Sequence, residues 1–142
     1  MSDSTDPATP SPSPSPTPEP QHTGPEMSAG EVASGKMFAI LCYAINFVGF
    51  PFWIIPLITR DNAFALYHAK QCLVLWIILF ALCLIGAVLT SVCIGVVFFP
   101  IAGVISIVFN VMGVLNANNG MCKPLPVIGA WGESWFKGIQ KK

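Results

Sequence analysis

Charge is what this sequence most lacks. Residues Gln71 to Cys122 form a run of 52 positions without Asp, Glu, Lys, Arg or His, and Met37 to Thr59 form a second run of 23. Charged residues make up 10% of the chain, whereas an ordinary soluble domain has about 25%. A soluble domain needs polar groups over its whole surface, so these runs predict a multi-pass membrane protein, in which about 20 apolar residues make one helical crossing.

Other classes of protein are excluded by what is missing. The net charge is zero, so no basic excess indicates nucleic-acid binding. The five cysteines form no Cys-x-x-Cys pair, and zinc-type spacing is absent. The apolar runs hold no ionisable group, and no constellation of catalytic side chains can be identified. We therefore expect a non-enzymatic protein without a cofactor or metal, whose partners are the lipid bilayer and either a second copy of itself or another membrane protein.

The first 36 residues differ in composition from the rest of the chain. They hold eight of the thirteen prolines, which alternate with Ser or Thr from Thr9 to Pro18. Proline fixes φ and has no N–H donor, so this composition predicts an extended, disordered tail over residues 1–36. Two functional alternatives stay open, namely a docking site for a polyproline-reading partner and a phosphorylated or glycosylated stalk. Residues 37–142 form the transmembrane domain.

The lengths of the apolar runs predict an all-α membrane protein with three transmembrane helices, over residues 37–58, 71–93 and 100–117. Two prolines, Pro51 and Pro56, lie in the second half of the first span, so we expect a kink or a break near Gly49–Pro51. Asn62 is a suitable N-cap for the second helix, and Gly120 is a suitable terminator for the third.

We predict that residues 124–142 form an interfacial helical segment, because Trp131 and Trp135 suit the headgroup region. Three crossings place this segment on the same side as Arg60 and Lys70. The positive-inside rule makes that side cytoplasmic and puts the proline-rich tail outside. We expect the location to be a bacterial cell membrane.

Two asparagines interrupt the apolar runs. Asn46 and Asn110 both lie about 14–15 Å from the same face at 1.5 Å per residue, near the middle of the bilayer. Each also lies on a stripe of small residues, which lets helix backbones approach closely. We predict that the first and third helices pack along these stripes and that the two amides form a polar clasp. The alternative is a polar step in a substrate path.

A second group of polar residues lies where the second span begins. Phe64, His68, Lys70 and Gln71 occur within eight positions at the start of the long uncharged run. Their position predicts an interfacial motif that anchors the helix at headgroup depth. The alternative is a contact with a ligand or a partner.

The same region carries a resemblance. The string Phe-x-x-Tyr-His-Ala-Lys-Gln from Phe64 to Gln71 follows a charged pair, Arg60-Asp61, and begins an apolar span. Together with Asn116–Gly120 and the Lys-Pro-Leu-Pro that begins at Lys123, it resembles a family of small bacterial membrane proteins of unknown function. That family is related to the chloroplast inner-envelope import component Tic. The resemblance covers residues 37–136 and implies a component of a protein-translocation or transport channel.

The His-Ala-Lys-Gln motif, with Leu73-Val74-Leu75-Trp76 after it, is also similar to magnetosome membrane proteins of the MamF type. This second resemblance implies a role in the membrane around a mineral particle and in the growth of that particle. Neither resemblance implies catalytic residues. Three hypotheses therefore stand, with a structural or assembly role in the membrane first, a channel component second, and a magnetosome-type organelle factor third.

Overall fold

The computed structural model describes residues 27–142, and that part of the chain contains helices and no strands. The helices are α1 (Ala29–Asn46), α2 (Ile54–Thr59), α3 (Ala63–Thr90), α4 (Phe98–Asn118) and α5 (Gly129–Trp135), with a 3₁₀ turn at Gly95–Val97 before α4. The all-α class is therefore confirmed. The disorder that we predict for the proline-rich tail concerns mostly residues 1–26, which lie outside the described residues.

The two longest helices, α3 and α4, form an antiparallel hairpin. Their 28 and 21 residues correspond to about 42 Å and 32 Å of helix, enough to cross a hydrocarbon core of roughly 30 Å. Only 22% and 17% of their most apolar stretches are buried inside the protein. The core helix of a soluble protein would be mostly buried, so α3 and α4 are two helices suited to contact with lipid.

Helix α1 begins earlier than the sequence predicts. It begins at Ala29 rather than at Met37, because Ser28 acts as its N-cap and accepts a hydrogen bond of 3.3 Å from the backbone N–H of Glu31. The boundary that we expect at residue 36 between tail and membrane domain therefore moves to about residue 28. Residues 29–36 form the first two turns of a packed helix.

The first apolar run, predicted as the first span, does not form one continuous crossing of the membrane. The chain breaks between α1 and α2, where Gly49 has a φ of +85°, and this confirms the break predicted near Gly49–Pro51. Helix α2 then returns towards the start of α1. Asn62 Nδ2 donates hydrogen bonds of 2.8 Å to the Glu31 carbonyl and of 2.8 Å to Ser34 Oγ. The start of α1 and the residues that follow α2 therefore meet. Helices α1 and α2 thus form a hairpin that begins and ends at one end of the bundle.

The direction of α1 follows from its contacts. Gly35 touches Asn62 at the start of α3, and Tyr43 lies against His68 further along α3, so α1 and α3 are parallel. Helix α4 runs the opposite way. Gly120 has a φ of +69° and ends α4 as predicted. It lies near Val32 in the first turn of α1, so the end of α4 is next to the start of α1.

The segment over residues 124–142 packs against the same end of the bundle and is not one interfacial helix. Leu125 and Ile128 are buried in the core, whereas Trp131 and Trp135 are exposed and stack with ring centroids 5.7 Å apart. Only the seven residues of α5 are helical, in keeping with the glycines at its start and centre.

The last residues tie this segment to the hairpin of α1 and α2. The Lys142 backbone N–H donates to the Arg60 carbonyl at 3.2 Å, and Lys141 forms an ion pair with Glu31. The start of α1 and the residues after α5 therefore lie at one end of the molecule. This corrects the expected topology, in which three crossings separate them, because α1 and α2 turn back and only α3 and α4 run the full length.

We call this end the charged end. Every Lys, Arg, Asp and Glu of residues 27–142 lies within about two turns of it: Glu31, Lys36, Arg60, Asp61, Lys70, Lys123, Glu133, Lys137, Lys141 and Lys142. The opposite end is the charge-free end, made by the turn over residues 91–97 and the adjoining halves of α3 and α4.

Candidate functional site

Polar residues from the apolar runs and from the start of α3 come together inside the half of the bundle that adjoins the charged end. His68 is fully buried, and its Nδ1 lies 3.2 Å from the Tyr43 hydroxyl in a hydrogen bond between α3 and α1. Three aromatic rings surround the imidazole, those of Tyr43, Phe64 and Tyr67, with centroids at 5.7, 4.7 and 5.4 Å. No carboxylate hydrogen-bonds to His68 within the described part of the chain, so the geometry is that of a packed core histidine.

Gln71 joins α3 to the segment after α4. Its Oε1 accepts a hydrogen bond of 3.1 Å from the backbone N–H of Leu125, and the side chain is 1% exposed. A buried backbone N–H that lost this acceptor would cost about 1–3 kcal/mol. Gln71 therefore fixes where residues 124–142 cross the start of α3.

The structure places the four residues of the expected interfacial motif differently from the prediction. Phe64, His68 and Gln71 are buried by protein atoms, and only Lys70 is partly exposed. The three buried side chains cannot contact lipid headgroups, because α1 and the segment after α4 cover them. The motif instead forms the surface on which these two parts of the chain pack. Sequence reasoning missed this role because Tyr43 and Leu125, the hydrogen-bonding partners, are 25 and 54 positions away.

The two asparagines in the apolar runs are brought together. Asn46 Nδ2 donates to Asn110 Oδ1 at 3.0 Å, and Asn110 Nδ2 in turn donates to the Ser106 carbonyl at 2.8 Å. The hydrogen bond lies at the end of α1, about half-way along α4. Asn46 Oδ1 has no hydrogen-bond partner among residues 27–142.

Small residues let α1 and α4 approach each other beside this hydrogen bond. Gly113 lies against the Tyr43 ring, where a Cβ atom has no room, and Ala39 and Ala117 are both fully buried. Gly103, further along the same stripe, has open space around it in the described structure. The stripe is therefore an interface only in the half of α4 that adjoins the charged end.

A cavity of about 240 Å³ lies at the charged end, between the start of α3 and the segment that carries α5. Tyr67, Lys70 and Gln71 line it from α3, and Glu133 and Lys141 line it from the other side. Two polar atoms on its wall residues, the Tyr67 hydroxyl and Gln71 Nε2, are buried without a hydrogen-bond partner in the part of the chain that the structure describes.

Cysteine chemistry is not favoured near this cavity. Cys122 follows the end of α4, and burial, together with the negative charges of Glu133 and Glu31, raises the pKa of its thiol to about 12. A thiol with such a pKa stays protonated at neutral pH and is a poor nucleophile. Within residues 27–142 no group of three or more His, Cys, Asp or Glu side chains could hold a metal ion.

Comparison with known proteins identifies the family of this chain. Residues 34–131, which include most of α1, all of α2 to α4 and the beginning of α5, match the magnetosome magnetite crystal formation protein family, of the MamF and MmsF type. The chain belongs to this family. No curated protein and no solved structure matches the chain. Of the two resemblances drawn from the sequence, the magnetosome one is therefore shown, and similarity to the chloroplast import component is not.

Proposed function

We propose that this protein is a non-enzymatic component of a magnetosome membrane and supports magnetite crystal formation through a structural or assembly role. The observation that carries the proposal is the family match over residues 34–131, which spans the packed helical part of the chain. In this role the protein associates with a second copy of itself or with another membrane protein.

The distribution of charge supports a topology for this role. All seven Lys and Arg residues lie at or near the charged end. By the positive-inside rule the charged end faces the cytoplasm, and α3 and α4 cross the membrane from there and back. Helix α1 starts at the charged end, so its first residue, Ala29, lies on the cytoplasmic side too. We propose two crossings in place of the three that the sequence predicts.

Helices α1 and α2 act in this topology as a re-entrant hairpin. The ten residues from Met37 to Asn46, the last of which is polar, reach about 15 Å into the bilayer. Non-helical backbone at that depth needs internal hydrogen bonds. The turn supplies several of them, since the N–H groups of Val48 and Gly49 donate to the carbonyls of Ile45 and Asn46 at 3.0 and 2.9 Å.

The charge-free end then faces the crystal side of the membrane. Its turn, residues 91–97, contains Ser91 and Cys93 among apolar residues and no carboxylate. Hard metal cations prefer oxygen ligands such as carboxylates. The described residues on that side therefore offer no carboxylate to a mineral surface, which favours organisation of the membrane over direct contact with the crystal. No observation favours the channel alternative.

The test uses the bacterium that carries this chain, with the gene deleted and then restored. We expect the restored protein to purify with crystal-containing membranes and to return the crystal diameter to that of the parent strain, measured by electron microscopy. The matched control is Gly103→Ala, a position with room for a Cβ, which should restore crystals equally. Unchanged crystals after deletion, with the protein in other membranes only, would contradict the proposal.

A further inference from the structure

The helical bundle is tapered, because it is wide at the charged end and narrow at the charge-free end. Beside the first part of α3 lie α1, α2, the end of α4 and the segment that carries α5. All the buried residues of α3 except Gly86 lie between Phe64 and Leu75, under these neighbours. Gly86, towards the other end, lies next to Phe98 and Gly95, which belong to α4 and the turn before it. The bundle therefore loses α1, α2 and α5 on the way to the charge-free end.

Lipid chains surround both parts of this tapered body. Exposed apolar residues occur at the wide end, as at Met37 and Ile58, and in the narrow half, as at Val88 and Val104. A helix about 10 Å across occupies about 80 Å² of a leaflet. Because α1 and α2 reach only about half-way into the bilayer, the protein displaces about 160 Å² more from the leaflet at the charged end than from the other leaflet.

An unequal cross-section has a preferred membrane shape. When a bilayer bends, its convex leaflet expands relative to its concave leaflet, so a body that is wide at one end fits with that end in the convex leaflet. Apolar groups that enter one leaflet only make membrane binding sensitive to curvature for this reason. In the closed membrane around a crystal the cytoplasmic leaflet is the convex one, and it is the leaflet in which the proposed topology places the charged end.

We propose, on the basis of that topology, that the tapered bundle makes this protein prefer strongly curved membrane, with its charged end on the convex face. The hairpin of α1 and α2 produces the preference, because it occupies one leaflet only. The protein therefore accumulates in the small closed membrane around a crystal and is less dense in the nearly flat cell membrane.

The test measures the distribution of the purified full-length protein when one membrane offers two curvatures. The protein is reconstituted into giant vesicles of phosphatidylethanolamine and phosphatidylglycerol, and a narrow tube is pulled from each vesicle. The protein-to-lipid fluorescence of the tube is divided by that of the vesicle, which gives the sorting ratio. The dye is attached to Lys137→Cys in a Cys83→Ala, Cys93→Ala background, in which the remaining cysteines are buried. A membrane-impermeant quencher identifies the molecules whose charged end faces outwards.

The two orientations in the vesicles serve as controls for each other, since lipid and dye are the same. We expect a sorting ratio above one that rises as the tube narrows when the charged end faces outwards, and a ratio below one when it faces inwards. Equal ratios in the two orientations, or a ratio of one at every tube radius, would overturn the proposal. Sorting as expected, together with unchanged crystals after deletion of the gene, would contradict the proposed function alone.

Two double variants test whether the taper causes the sorting. Val88→Trp with Val104→Trp enlarges the narrow half, and should move the ratio of outward-facing molecules towards one. Met37→Trp with Ile58→Trp enlarges the wide end, and should leave that ratio unchanged or raise it. All four side chains are exposed, so neither variant should disturb the packing, which unfolding by SDS titration checks. A wild-type ratio in both variants, or an equal fall in both, would show that the shape of the bundle does not cause the sorting.

Discussion

The same two helices have opposite surroundings at the two ends of the bundle. In the first half of α3, the residues Phe64, His68 and Gln71 are buried under α1 and the segment after α4. In its second half, Leu84, Ile85 and Val88 are 53, 46 and 72% exposed. Protein covers the half that contains polar groups, and the apolar half is left for lipid to cover. The difference shows that this small membrane protein uses protein packing where hydrogen bonds need partners.

A physical reason connects the two halves. A buried amide or imidazole costs several kcal/mol in hydrocarbon unless it is hydrogen-bonded, whereas an exposed valine costs nothing there. The chain after α4 and the hairpin of α1 and α2 supply those partners, through Leu125 and Tyr43. The charge-free end needs no such cover, so a bare helical hairpin suffices.

The largest expected effect concerns which side of the membrane each end faces. Cys93 is exposed at the charge-free end, and Ala29→Cys and Lys137→Cys add thiols at exposed positions of the charged end. Because α1 and α2 turn back, a membrane-impermeant maleimide applied to isolated intact magnetosomes should label both introduced cysteines and leave Cys93, on the crystal side, unmodified. Labelling is read by mass spectrometry of the individual peptides.

The control for this experiment is labelling of permeabilised magnetosomes, in which all three thiols should react. Labelling of Lys137→Cys in intact magnetosomes while Ala29→Cys stays protected would restore the three-crossing topology and remove the re-entrant hairpin. Labelling of Cys93, with protection of both introduced cysteines, would keep the two crossings but invert the assignment of the cytoplasmic side.

A pair of glycines on α4 compares the two halves directly. A Cβ at Gly113 would collide with the Tyr43 ring, whereas Gly103 has open space around it in the described structure. Gly113→Ala should therefore lower the free energy of unfolding by about 1–3 kcal/mol through overpacking, and Gly103→Ala should leave it unchanged or slightly higher. Unfolding by SDS titration in mixed micelles measures both. Equal effects at the two positions would mean that α1 does not pack on α4 as described.

The next effect concerns the hydrogen bond between Asn46 and Asn110. Each change to Leu should destabilise the bundle, and the double variant should cost less than the sum of the two, with a coupling of about 0.6–2 kcal/mol. The same SDS titration on the two single variants and the double variant gives the coupling. Additive costs would show that the 3.0 Å contact contributes no pairwise stabilisation.

The sequence predicts some of these features because their signals are local. Asn62 caps α3 by accepting from the Ala65 N–H at 2.9 Å, and Gly120 ends α4, both as expected from residue type and position. The start of α1 also has a local signal, since Ser28-Ala-Gly-Glu31 matches the capping-box pattern. The prolines end at Pro25, but the expected boundary between tail and membrane domain is placed at residue 36, just before the first apolar run begins.

The return of α2 towards the start of α1 and the burial of His68 could not be predicted from local sequence signals. A run of 23 uncharged residues satisfies the length of one crossing whether or not the chain turns back at its centre. Only contacts between distant residues, such as Asn62 with Glu31, separate the two topologies. His68 likewise looks like an interfacial residue until Tyr43 and the segment after α4 are placed around it.

The smallest expected effect is the pH dependence of the ion pair that closes the charged end. The hydrogen bond from Lys141 lowers the pKa of the Glu31 carboxyl below its ordinary value of 4.5. Because this pKa is lower in the folded than in the unfolded chain, the pair stabilises the fold above about pH 4.5 and loses that contribution as pH falls through the folded-state pKa. Both side chains are partly exposed, 43% for Lys141 and 25% for Glu31, so the effect is weak and screened by salt.

Glu31→Gln should reduce the difference in unfolding midpoint between pH 7 and pH 3 slightly at low salt and not at high salt. A pH profile identical to that of the wild-type protein at low salt would show that the ion pair between Lys141 and Glu31 does not stabilise the fold in solution.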